Sequence, residues 1–277
     1  MGTTTRKITP NTGTEFSGLK GTQLVDKGVA DDALAALEET GVVVFSEADI
    51  DDESLVAFAR LLGNVLPLPM GSHKIKEIQR ITRDASQSKL AAYREATFYW
   101  HIDGTTGEVP DKATLLTARR ISGDPEGDTE FANTYAAYEA LSDEEKAQLE
   151  GVRALHSFTA SQLVANPNPS PEERAAWDRN PTREQPIVWT RRNGRKSLLV
   201  GSTAGEVVGL PADEGRALLD RLLDWATQPQ FVLRHRWTQG DLVIWDNTGM
   251  LHRALPYGPS SSRLMHRASL AGEEAVA

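Results

Sequence analysis

Gly240-Asp241-Leu242-Val243-Ile244-Trp245-Asp246-Asn247, followed by Leu251-His252-Arg253 and Arg263-Leu264-Met265-His266-Arg267, carries the strongest fold signal in this chain. Gln239-Gly240-Asp241 makes a turn, and Leu242 to Trp245 is a short apolar run of the kind that forms a buried strand. Phe231 to Trp237 alternates before it, and Arg263 to Leu270 reads as a further strand after it. Working outward, Val42 to Phe45, Thr114 to Ala118 and Leu198 to Val200 are strands by the same criterion. Lys7 to Val25, rich in Thr and Gly, suits short strands and turns.

Helices are expected between the strands. One runs through Leu34, Leu37 and Glu39, capped by Asp31 or Asp32 and stopped at Gly41. A second opens at Asp51-Asp52-Glu53 and repeats Leu55, Phe58, Leu61 and Leu62 at helical spacing up to Gly63. Thr134 to Glu150 reads as one helix, with Ser142 and Glu145 resembling a capping box in its second half. Pro211 to Ala226 is amphipathic with Pro near its start. Residues 166–185 are dense in Pro, Asn and charge, an irregular insert that is either a lid or a disordered surface loop. Strands at both ends and in the middle, with helices inserted, suit a mainly β (α+β) jelly roll better than alternating βαβ units. A single domain over 1–277 is expected.

Composition narrows the chemistry. The 277 residues contain no cysteine, which excludes disulfides, thiolate metal sites and cysteine nucleophiles. Any metal must be held by His, Asp or Glu. The formal net charge of −9 disfavours a nucleic-acid partner. No run of about 18 apolar residues suggests a membrane span, and MGTTTRKITPNTG has no signal-peptide pattern. A cytoplasmic protein is expected.

Three motifs remain. In Phe98-Tyr99-Trp100-His101-Ile102-Asp103-Gly104, an extended backbone sends His101 and Asp103 to one side and Ile102 to the other. His252 follows a strand and a polar turn and can return over a sheet face. Two His and one carboxylate on one face form the facial triad of non-haem iron(II) oxygenases, which leaves coordination positions open. Arg263 and Arg267 are four apart and share a face of a strand. A guanidinium there can bind a carboxylate in a fork, as the distal end of a dicarboxylate requires. Singly, each motif is as easily a solvated surface group; the ordered set carries the signal.

These residues resemble the taurine dioxygenase and phenoxyacetate dioxygenase family of 2-oxoglutarate-dependent oxygenases. The likeness extends to Ile8-Thr9-Pro10, Gly41 to Phe45, Phe58 to Gly63, Gly127-Asp128-Thr129-Glu130-Phe131 and Ala136-Ala137-Tyr138-Glu139-Ala140-Leu141. The resemblance implies a double-stranded β-helix, a cupin-like jelly roll. It implies His101, Asp103 and His252 as iron ligands, with Fe(II), 2-oxoglutarate and dioxygen as cofactor and co-substrates. It implies that Thr129 hydrogen-bonds 2-oxoglutarate, that Arg263 pairs with its distal carboxylate, and that Arg267 lies near the co-substrate and the substrate's anionic group. It also implies a homo-dimer or tetramer acting on a small molecule, by hydroxylation with C–O or C–S cleavage where a heteroatom is adjacent.

Where taurine-type members carry a sulfonate-binding His, this chain has Leu68, which cannot hydrogen-bond a sulfonate; His73 lies a few residues on. An acidic, partly apolar substrate other than taurine is therefore expected. Leu66, Leu68, Met70, Phe98 and Tyr99 are either an apolar substrate wall or ordinary core. Two rivals are a non-catalytic jelly-roll module that binds a small molecule, and a zinc or manganese hydrolase on a similar barrel. Neither accounts for the triad and the paired arginines together.

Overall fold

A computed structural model describes residues 4–67, 73–121 and 127–276. Leu68 and Met70 lie outside these residues. Among those described, seven strands form the larger sheet, in the order Thr4–Lys7, Thr14–Ser17, Val42–Phe45, Leu242–Asp246, Ala113–Arg120, Leu264–Leu270 and Gln79–Ile81. Only Thr14–Ser17 and Val42–Phe45 pair in parallel; the other neighbours are antiparallel. A second sheet consists of Val232–His235, Thr129–Asn133 and Met250–Ala254. The fold is a jelly roll decorated by helices, mainly β as expected.

Alternation along the strands explains why both faces of the larger sheet are apolar. Leu242 and Ile244 join Val43, Phe45, Leu115 and Leu270 in a core beneath the first two helices. Val243 and Trp245 point the other way, into a core between the sheets with Val42, Val44, Leu116, Phe131 and Met265. A third core, with Ala132, Leu251, Trp189 and Leu222, backs the second sheet. Strands buried on both faces read as continuous apolar runs, hence Val42-Val43-Val44-Phe45.

The helices mostly follow their sequence signals. Asp51 caps Asp52–Leu62 by accepting from the Ser54 amide, and Leu55 and Phe58 are fully buried. Each such burial stabilises by about 1.5–3 kcal/mol. The preceding helix, Lys27–Thr40, starts earlier than expected, because Asp26 rather than Asp31 or Asp32 caps it. Thr134 to Glu150 is two helices, Thr134–Glu139 and Asp143–Gln148. The Ser142–Glu145 box starts the second of them, as a capping box does by satisfying free amides at an N-terminus. The 166–185 insert is ordered: Ser170 and Glu173 box the helix Pro171–Trp177, and Arg183–Pro186 is a strand. No helix among the described residues is long and apolar enough to cross a membrane.

His156 is fully buried, its Nδ1 3.0 Å from Thr203 Oγ1, and burial pushes its imidazole down to about 4. Unfolding returns it to an ordinary value near 6.5, so between those values the unfolded chain binds the extra proton. Stability is therefore present above pH 6.5 and lost as pH falls toward 4, by about 2–3 kcal/mol from this group. Urea midpoints at pH 7 and 4.5 should differ by less in His156→Gln than in the wild type. An equal difference would reject the assignment.

Candidate active site

His101 and Met250–Ala254 meet across an isolated antiparallel bridge. His101 N–H donates to the His252 carbonyl at 3.0 Å, and His252 N–H to the His101 carbonyl at 2.9 Å. The aromatic segment before Gly104 was expected to be a strand; Ala91–Phe98 is instead a 3-10 helix, and only the bridge at His101 is β-like. Ile102 is buried in the core behind the second sheet, and His101 and Asp103 line a cavity that Ile102 also borders. The ligating atoms of His101, Asp103 and His252 all lie within 4.8 Å of one another.

Each ligand candidate is held by a named partner. His101 Nδ1 lies 2.8 Å from the Tyr99 carbonyl. A carbonyl only accepts, so Nδ1 carries the proton and Nε2 keeps its lone pair. His252 packs on Trp245, ring centroids 4.7 Å apart. Asp103 Oδ2 accepts from Thr114 Oγ1 at 2.9 Å and lies 3.0 Å from Arg267 Nη2 and 3.6 Å from His252 Nε2. Asn247 Nδ2 in turn donates to Thr114 Oγ1 at 3.0 Å. Thr114 and Asn247 thus orient the carboxylate from behind, a role that the strand pattern did not reveal.

Electrostatics follow from this packing. Burial pushes the His101 imidazole down, against the Asp103 charge and the Tyr99 carbonyl. Burial, with His101 beside it, pushes His252 down to about 3. Both rings are neutral at neutral pH and can donate lone pairs. Burial pushes the Asp103 carboxyl up, but Arg267, the two histidines and Thr114 outweigh it and hold it below the usual carboxylate range.

Two cavities adjoin the cluster. The larger, about 440 Å³, is walled by Leu90, Tyr93, Phe158 and Trp177 among others. The smaller, about 60 Å³, is lined by His101, His252, Thr129 and Arg263 among others. Arg263 is 2% exposed, its guanidinium 5.0 Å above the Tyr257 ring, and its Nε has no partner among the described residues. A Cβ on Gly127 would come within 2.8 Å of the Arg263 side chain, so glycine is needed there to seat it. Thr129 Oγ1 accepts from Trp237 Nε1 at 3.0 Å and keeps its own proton to donate. Arg267 faces both cavities and is tied to Asp103.

Other expectations are corrected. Phe98 and Tyr99 do not line either cavity. Phe98 packs on Tyr257 beneath Arg83, and Tyr99 is 40% exposed, because the 3-10 helix turns them away. Tyr93 and Phe158, in ring contact at 5.6 Å, and Trp177 from the insert supply the apolar wall instead. His73 is not in the site; its Nε2 lies 3.0 Å from Asp52. Asp52, His73 and His266 form a second His₂/carboxylate group. Arg119 already occupies the Asp52 carboxylate there, 2.5 Å away, so that group is a closed ion-pair network.

The family model described as "Taurine catabolism dioxygenase TauD, TfdA family" matches residues 4–269. The alpha-ketoglutarate-dependent 2,4-dichlorophenoxyacetate dioxygenase of Cupriavidus pinatubonensis is 35% identical over 258 residues, 87% of this chain and 88% of that protein. The alpha-ketoglutarate-dependent sulfate ester dioxygenase of Pseudomonas putida is 29% identical over 271 residues, 95% of this chain and 88% of that protein. Among solved structures, AAD-2 in complex with Mn(II) and N-oxalylglycine superposes with a TM-score of 0.83 at 32% identity, covering 100% of both chains. From its sequence, its fold and these relatives, the chain belongs to the TauD/TfdA family of dioxygenases.

Proposed function

We propose that His101, Asp103 and His252 hold iron(II), that the smaller cavity holds 2-oxoglutarate, and that the larger holds a small, anionic, partly apolar substrate. The protein is an iron(II)- and 2-oxoglutarate-dependent dioxygenase. Overall, the 2-oxo acid and dioxygen become succinate, carbon dioxide and one oxygen atom inserted into a substrate C–H bond. The observation that carries the reading is a neutral-His₂/carboxylate cluster whose two histidines line one cavity together with a buried arginine, Arg263. Two imidazoles and a carboxylate suit iron(II), and they leave positions for a chelating co-substrate and dioxygen. The bound iron and 2-oxoglutarate supply the oxidising power.

The chain's residues do the rest. Arg263 pairs with the distal carboxylate of 2-oxoglutarate in a fork, and Thr129 donates to the same molecule. Thr114 and Asn247 keep Asp103 pointed at the metal. Tyr93, Phe158 and Trp177 exclude water and pack the substrate body. Ala176, Trp177 and Asn180 come from the 166–185 insert, which supports its reading as a lid over this one domain. The relatives' named substrates include a phenoxyacetate and sulfate esters, apolar bodies with an acidic group beside an ether or ester oxygen. Arg267, tied to Asp103, borders the cavity that would hold that group. The same reading puts the protein in the cytoplasm, without nucleic-acid partners, as a homo-dimer or tetramer; the lack of cysteine and the net charge of −9 support the first two, and light scattering reads the third.

Anaerobic addition of iron(II) and 2-oxoglutarate should give a visible charge-transfer band. Oxygen should then bleach it with release of succinate, faster when phenoxyacetic acids or alkyl sulfates are present. Folded, iron-loaded protein that gives neither band nor succinate would reject the reading in favour of a binding module.

A further inference from the structure

Three guanidinium groups reach the two cavities, and two of them have assigned partners. Arg263 lines the smaller cavity, where it would meet the distal carboxylate of 2-oxoglutarate on the reading above. Arg267 Nη2 lies 3.0 Å from Asp103 and 3.8 Å from Asp111, and Ser269 Oγ accepts from its Nε at 3.1 Å. Arg94 has no such partner. It is 8% exposed, and its Nε and Nη2 are buried without a hydrogen-bond partner among the described residues. It lies in the 3-10 helix Ala91–Phe98, where residues three apart stack on one face. Arg94 and Thr97 accordingly both line the larger and the smaller cavity, together with His101 and Arg267.

A buried guanidinium cannot shed its charge at neutral pH. Burial, with Arg267 second, lowers Arg94 only to about 10. An unpaired buried charge is costly, and native folds retain one where a ligand supplies the counter-charge. Iron(II) and 2-oxoglutarate bring equal and opposite charges, so loading them leaves Arg94 unanswered. We propose that Arg94 is a specificity-determining residue that binds the acidic head group of the substrate, a carboxylate or sulfate, at the junction of the two cavities. This inference rests on the oxygenase reading, because the junction is defined by where the co-substrate sits. With the anion held there, the apolar body extends along Leu90, Tyr93, Phe158 and Trp177. Thr97, on the same face of the 3-10 helix, donates its hydroxyl proton to the Arg94 carbonyl at 2.6 Å and braces that turn.

Phenoxyacetate and its uncharged analogue phenoxyacetamide serve as probes. They are titrated calorimetrically into protein loaded with Mn(II) and 2-oxoglutarate, for wild type, Arg94→Met and Arg94→Lys. Co-substrate affinity is read separately from the anaerobic iron(II) charge-transfer band. The wild type should bind the acid at least tenfold more tightly than the amide. Arg94→Met should erase that preference by weakening the acid at least tenfold, leaving the amide within about twofold. Arg94→Lys should retain part of the preference, and co-substrate affinity should stay within about threefold throughout, which also shows that the variants fold. Unchanged preference in Arg94→Met overturns the proposal. So does wild-type protein that binds acid and amide alike, or neither. Loss of co-substrate affinity with the acid preference intact would assign the guanidinium to 2-oxoglutarate and overturn it too. A missing band in the wild type would instead refute the oxygenase reading itself.

Discussion

Replacing His252 by alanine is expected to lower iron(II) affinity by more than about 100-fold and to remove oxygen-dependent succinate formation. Loss of groups that merely orient metal ligands costs 10–100-fold, and His252 is itself one of three proposed donors. The fold should survive, because the bridge to His101 uses backbone atoms only and the vacated ring space is bounded by Trp245 and Phe131. Equilibrium dialysis with iron(II) separates the two effects, and circular dichroism reports the fold. A folded His252→Ala protein with wild-type iron affinity would remove His252 from the ligand set. Thr114→Val is the informative control. It removes the hydroxyl that links Asn247 to Asp103 and leaves all three proposed donors in place, so its metal affinity should lie between wild type and His252→Ala.

Arg263→Leu is expected to raise the dissociation constant of 2-oxoglutarate by two to three orders of magnitude. Truncating one partner of a buried, hydrogen-bonded charge pair costs about 2–5 kcal/mol. The same change should have the opposite sign on the unliganded protein. Arg263 is almost fully buried, with its Nε unpartnered among the described residues and its guanidinium over Tyr257. Burial lowers its pKa, as expected of a charge held out of water. Removing that charge should leave the ligand-free protein at least as stable as wild type. The added thermal stability that saturating 2-oxoglutarate and Mn(II) confer on wild type should shrink in the variant. Unaltered co-substrate affinity would show that another cation reads the distal carboxylate.

The parts legible in the sequence were those where periodicity and chemistry coincide. Val42 to Phe45 and Leu242 to Trp245 read as buried strands because helices cover one face and the second sheet covers the other. His101, Asp103 and His252 were legible because a two-residue alternation and a late His place them together even without a strand at 98–100. Phe98 and Tyr99 were misread because a 3-10 helix repeats every three residues, not every two, and turns them off the site. Arg94 was missed for the same reason, since nothing in Tyr93-Arg94-Glu95 distinguishes a buried arginine from an exposed one. Asn247 was visible as part of a motif, but its role runs through Thr114, 133 residues away in the chain, and such a relay appears only in three dimensions. The Ser170–Glu173 capping box was present in the insert, yet the surrounding Pro and Asn masked it.

The reciprocal backbone pair between His101 and His252 has a consequence for the life of the enzyme. Two of the three donors are spaced by main-chain hydrogen bonds, and the third is braced by Thr114 and Arg267. The chain's own hydrogen bonds thus hold the three proposed donors near one another. On that arrangement, iron(II) lost to oxidation or to a competing chelator should be replaceable without refolding, and a divalent ion of similar size such as Mn(II) should occupy the same donors without turnover. Supply of reduced iron, and not repair of the protein, is then expected to set how much of the population is active at any moment.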